Sequence, residues 1–141
     1  NTIDTKTRRE LLAVDGSAHN VIESNRFVAP RLGGIYLYRN CGEGGTIRHQ
    51  SPQFNRIFGN VFDYRQGGGW RPTLWLGSRE GWLGWRSYCS ADAGFLLGSS
   101  ADDGDFANRN MVQDNVWVNR SIWWSTLDWG VENVWSGNRR E

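Results

Sequence analysis

The sequence predicts an all-β single domain, a Greek-key sandwich or barrel, and three observations carry that prediction. Short runs rich in branched and aromatic residues follow one another from Gly33 to the C-terminus. Glycine is frequent at 18 and proline scarce at 3, which suits many tight turns and argues against long disordered linkers. No apolar periodicity is long enough for a helix that could pack a layer. A chain of 141 residues can enclose one core. It divides into an N-terminal extension packing on the domain, residues 1–33, and a β domain, residues 34–141.

The elements follow in order. Residues 7–14 combine Arg8 and Arg9 with Leu11, Leu12 and Val14, and can form a short helix that stops at Asp15-Gly16. Val21 to Glu23 and Arg26 to Ala29 read as short extended pieces before Pro30. Ile35, Tyr36, Leu37 and Tyr38 alternate aliphatic and aromatic side chains, the period of a strand with two different faces, and the glycines that follow turn it. Residues 54–62 read as the next strand, before a flexible turn at Gly67-Gly68-Gly69. Thr73 to Leu76 and Trp82 to Trp85 flank residues 77–81 as a hairpin would. Residues 94–98 form a short buried strand and residues 99–105 a polar acidic loop. Val116 to Val118 and Ile122-Trp123-Trp124 follow, and residues 131–135 close the sheet.

Nine residues are tryptophan, all between Trp70 and Trp135. Tryptophan brings a large apolar face and one indole N–H, so this density means an aromatic-rich core or an aromatic binding face. If Trp123 and Trp124 are adjacent on a strand they point to opposite faces, and so do Trp82 and Trp85. Some tryptophans are therefore exposed, or they cover a second small core under the N-terminal segment. Lys6 is the only lysine, so every other cation among the 16 is arginine. Arginine stacks on aromatic rings and forks onto carboxylates, as lysine does not; a coding bias explains the excess equally well. The net charge of +1 leaves no global field for nucleic acid.

No apolar run approaches the length of a membrane span. The chain starts at Asn1 without methionine or a signal-like stretch, which fits a mature exported protein or a trimmed chain. Cys41 and Cys89 are the only cysteines. A bridge between them would close a loop of about 49 residues and stabilise by roughly 4 kcal/mol in the chain-entropy picture; two buried thiols are the alternative. Asn119-Arg120-Ser121 is a glycosylation sequon.

Residues 34–45, with Tyr38 and Gly45 seven positions apart, resemble the first hairpin of a βγ-crystallin Greek-key motif. Residues 74–84 resemble a second copy, though Trp75 and Gly84 are nine apart. Residues 54–61 and 113–121 resemble the strands that follow in each copy, and the second of these is similar to secreted actinobacterial peptidase-inhibitor-like relatives of the crystallins. The resemblance implies a Greek-key fold and a calcium site with an acidic or amide pair before a serine pair. Asp114-Asn115 supplies the first pair, but Val118-Asn119 stands where the serines belong, and Asn55-Arg56 precedes Gly59-Asn60 without them. In size and class the chain is also similar to small secreted fungal elicitor or effector proteins.

Catalytic signals are sparse. His19 and His49 are the only histidines and neither lies in a nucleophile or metalloprotease motif. Glu80, between Trp75 and Trp82, and Glu43 could form the carboxylate pair of a small glycoside hydrolase. Asp102, Asp103 and Asp105 form the densest acidic cluster, a weak calcium candidate or a solvated loop. We expect a secreted, extracellular, monomeric, non-enzymatic protein without a cofactor. It binds through Trp82, Trp85, Trp123, Trp124, Arg79 and Arg86 to an extracellular protein, as an inhibitor, elicitor or effector does. The alternative is a lectin-like module that takes a glycan on exposed tryptophans.

Overall fold

The computed structural model describes residues 1–41, 46–79 and 106–141. Thirteen short strands lie in them: β1 Thr2–Ile3, β2 Leu12–Asp15, β3 Val21–Glu23, β4 Arg26–Val28, β5 Ile35–Tyr38, β6 Arg56–Phe58, β7 Val61–Asp63, β8 Leu74–Leu76, β9 Met111–Gln113, β10 Val116–Val118, β11 Thr126–Asp128, β12 Val134–Ser136 and β13 Arg139–Arg140. They form three sheets: β1-β4-β7-β10-β13, which we call sheet A; β2-β5-β8-β11, sheet B; and β3-β6-β9-β12, sheet C. Every third strand returns to the same sheet beside the one a coil earlier. The chain thus winds through B, C and A four times, as in a parallel β-helix.

The all-β expectation holds, with no helix among the described residues. The Greek-key sandwich or barrel is corrected. A Greek key is built of antiparallel strands, whereas the ladders between these strands are parallel. Residues 7–14 do not form a helix; Leu12 to Asp15 pair with Ile35 to Tyr38 instead. Residues 1–33 contribute β1–β4 to the same three sheets. Residues 54–62, read as one strand, are two strands around a corner at Gly59-Asn60. Trp123 and Trp124 lie on the turn between β10 and β11, not on a strand, so strand alternation does not govern them.

Two asparagine columns hold the coils in register. Asn20, Asn55, Asn110 and Asn133 precede the sheet C strands, and Asn25, Asn60, Asn115 and Asn138 precede the sheet A strands. In each column the side-chain oxygen accepts from the backbone N–H of the asparagine one coil earlier. Asn60 N donates to Asn115 Oδ1 at 2.9 Å and Asn115 N donates to Asn138 Oδ1 at 3.0 Å. Asn55 N donates to Asn110 Oδ1 at 2.9 Å and Asn110 N to Asn133 Oδ1 at 2.8 Å. The amides also donate inward, Asn60 Nδ2 to Ile22 O and Asn115 Nδ2 to Ile57 O. Buried amides are tolerated because their donors and acceptors are matched.

The residue before each of these asparagines has a left-handed backbone. His19, Phe54, Arg109 and Glu132 lie at φ of 59°, 57°, 56° and 59°; Ser24, Gly59, Asp114 and Gly137 at 54°, 61°, 54° and 64°. That conformation turns the chain from one sheet to the next, and glycine or a short polar residue adopts it at least cost.

Columns of apolar side chains fill the interior. Phe27, Phe62 and Trp117 stack in sheet A, with centroids 5.2 Å and 4.9 Å apart, and all three are fully buried. Ile22, Ile57 and Val112 align in sheet C, with half-buried Trp135 as the last rung. Ile35 and Leu37 face Leu74 and Leu76 in sheet B. Each such side chain contributes about 1.5–3 kcal/mol of burial.

Candidate functional site

The inward run of Ile35, Leu37, Leu74 and Leu76 forces the alternate residues of β5 and β8 outward. Tyr36, Tyr38 and Trp75 therefore carpet the outer face of sheet B, with Tyr36, Trp75 and Leu127 in one register column. They floor a groove of about 750 Å³. The connections from sheet A to sheet B build one wall: Arg8 and Arg9, then Leu32, then Trp70 and Arg71, then Trp123 and Trp124, one step per coil. Arg79 and Trp129, on the connections from sheet B to sheet C, stand opposite.

Ring contacts fix the floor. Trp75 meets Tyr36 and Trp129 edge to face, with centroids 5.4 Å away in both cases, and lies tilted 5.9 Å from Tyr38. Its indole lies flat over Gly77, where an added Cβ would overlap the ring. Tyr36 Oη donates to Pro72 O at 3.2 Å, and burial pushes its phenol up to about 12. Tyr38 Oη donates to Glu10 Oε1 at 3.0 Å; burial, and then the negative charge of Glu10, raise its pKa. Both phenols stay neutral and act as hydrogen-bonding groups. The Arg79 guanidinium lies 4.2 Å from the Tyr38 centroid and that of Arg71 4.5 Å from the Trp70 ring, the stacking that arginine permits.

The wall, unlike the floor, is open to solvent. Trp123 is 91% exposed, Trp124 86% and Trp70 79%. These exposed indoles cluster along one concavity, where folding gains little from them. Among the described residues Glu10 is the one carboxylate in the groove, and it is engaged by Tyr38 and, at 3.6 Å, by Arg9.

Of the residues expected to bind, Arg79, Trp123 and Trp124 come together on this groove. Trp82, Trp85 and Arg86 lie outside the described residues, as do the carboxylates Glu43 and Glu80 and the acidic cluster Asp102, Asp103 and Asp105. Cys41 is buried beside the connection into β6, and Cys89 lies outside the described residues. No group of three or more potential metal ligands occurs among the described residues. Asn115 of the Asp114-Asn115 pair is buried within its ladder, with its side-chain oxygen turned to Asn60. His49 is exposed, and His19 stacks on Phe54 with centroids 5.2 Å apart. Asn119 of the sequon is exposed on the turn after β10. No helix among the described residues is long and apolar enough to cross a membrane.

Sequence reasoning missed Arg8, Arg9, Tyr36, Tyr38 and Arg71 as site residues and named Trp70, Trp75 and Trp129 only among the tryptophans at large. The signal for the floor was present in the alternation of β5 and β8. The wall residues are far apart in sequence, and only the winding of the coil aligns them. The aromatic question resolves in both directions: Trp117 and Trp135 serve the core, while Trp70, Trp75, Trp123, Trp124 and Trp129 line the groove.

No protein-family model, curated protein or solved structure matches the chain. The class defined by the described fold and site is a four-coil parallel β-helix with an aromatic groove on one sheet.

Proposed function

We propose that this protein binds an extended carbohydrate chain, laid along the coil axis in the groove on sheet B, without cleaving it. The observation that carries the reading is the wall of exposed indoles, Trp70, Trp123 and Trp124, above a floor of Tyr36, Tyr38 and Trp75. Coils stack at about 4.8 Å, close to the length of a pyranose ring, so successive sugars meet successive coils. The exposed indole faces of Trp70, Trp123 and Trp124 offer apolar surface to the C–H faces of the rings, and the arginine N–H groups at the rim serve hydroxyls. A protein partner, the reading the sequence favoured, is better served by a flat patch than by a concave trough. The one described carboxylate in the groove is engaged with Tyr38 and Arg9, so nothing in the described trough supplies the pair that glycoside hydrolysis uses.

Intrinsic tryptophan fluorescence titrated with oligosaccharides tests this reading. The wild-type protein shifts its emission on binding, and Trp124→Ala weakens affinity by about tenfold, or 1.4 kcal/mol. A flat response across acidic and neutral glycans, with capture of an extracellular protein through the same tryptophans, would replace the glycan with a protein partner.

A further inference from the structure

We infer that the carbohydrate taken by this groove is anionic, bearing carboxylates or sulfates along its length; the inference rests on the glycan reading above. The described lining of the trough is not electrically neutral although the chain nearly is: Arg8, Arg9, Arg71 and Arg79 face a single carboxylate, Glu10. Arg8 and Arg71 are exposed and make no ion pair with another described residue, and Arg71 lies against the Trp70 ring. A guanidinium stacked on an indole is oriented in advance, and its N–H fork matches a carboxylate or sulfate in two-point geometry.

The four cations are also concentrated. Arg8 and Arg9 precede β2, and Arg71 precedes β8 and Arg79 follows it, so they border the first and third coils, while the fourth coil offers Trp123, Trp124 and Trp129. These four share one concavity with the exposed indoles, so a ligand stacked on the aromatics passes within reach of several guanidinium groups. A neutral glycan would leave this positive field unanswered.

The experiment compares three glycan classes on the folded full chain by isothermal titration and tryptophan emission: a polyuronate, a sulfated galactan, and neutral glucan and mannan. Each titration is run at low and high ionic strength. We expect at least one anionic class to bind tenfold or more tightly than the neutral ones, with affinity falling as salt rises. In Arg8→Gln/Arg71→Gln the ratio of anionic to neutral affinity falls towards one. The polyuronate and sulfate arms separate the two anionic sources. Neutral glycans bound as tightly as anionic ones, without salt dependence, would overturn the anionic assignment and leave carbohydrate binding standing. No binding to any class would overturn the glycan reading itself. The salt titration of the wild type decides the matter even if the double variant fails to fold.

Discussion

At the scale of single residues, the side chains that matter most to folding are amides rather than aromatics. Asn115 accepts from Asn60 N and Nδ2, and donates to Ile57 O and to Asn138 Oδ1. Replacing it by alanine strands the Asn60 donors and the Ile57 carbonyl in the interior. Asn115→Ala should therefore lower unfolding free energy by about 2–4 kcal/mol, more than one exposed hydrogen bond is worth, as read by urea denaturation. Asn25→Ala, at a half-buried rung, should cost less.

Asp63 is the charged counterpart. Its carboxylate is buried at 3% exposure and accepts from Arg65 Nη2 at 2.7 Å, from the Arg65 backbone N–H at 3.0 Å and from Arg26. Hydrogen bonds from Arg65 first, and then the charges of both arginines, hold its carboxyl well below the usual carboxylate range, against the opposing effect of burial. A depressed folded pKa gives stability that is present above the unfolded value, about 3.9, and is lost as pH falls below it towards the folded one. Asp63→Asn should remove that contribution and flatten the acid limb of a stability–pH profile below about pH 4. An unchanged acid limb would show that the carboxylate does not act this way.

At the scale of elements, inward and outward aromatics have separate tasks. Phe62 sits between Phe27 and Trp117 in the sheet A column. Phe62→Ala should cost about 3–5 kcal/mol, measured by thermal or chemical unfolding, because the coils above and below cannot both close on the gap. Trp124→Ala should change stability by less than about 0.5 kcal/mol while weakening glycan binding, which separates the two roles in one pair of proteins.

The same division explains what was legible in the sequence. Strands β5, β8 and β10 could be read because their alternation or branched residues are local. The coil could not, because strands this short leave little periodicity and a parallel partner lies a whole coil away. The clue that was present is the pair of asparagines five positions apart, 20 and 25, 55 and 60, 110 and 115, 133 and 138, enclosing an apolar residue. Uneven spacing hid it: the second asparagine of each pair recurs after 35, 55 and 23 residues. The floor of the site was readable from the outward aromatics of β5 and β8, but the wall was not.

At the scale of the whole molecule, each described strand contacts only its neighbours one coil away, so stability is approximately a sum of coil-to-coil interfaces. Hydrogen exchange should show the slowest amides in β4 to β10, each strand hydrogen-bonded on both sides, and faster exchange in β12 and β13. Uniform protection from β5 to β13 would instead mean that the coils open as one unit.

The unequal coil lengths have a further consequence. The asparagine marks stay aligned whether 23 or 55 residues separate them. The extra length falls in sequence at one corner, after β5 and after β8, ahead of the next asparagine. Chain length at that corner is thus independent of the asparagines that index the coils. Drift or deliberate grafting at that corner can change its length, while the indexing that stacks the coils is inherited intact.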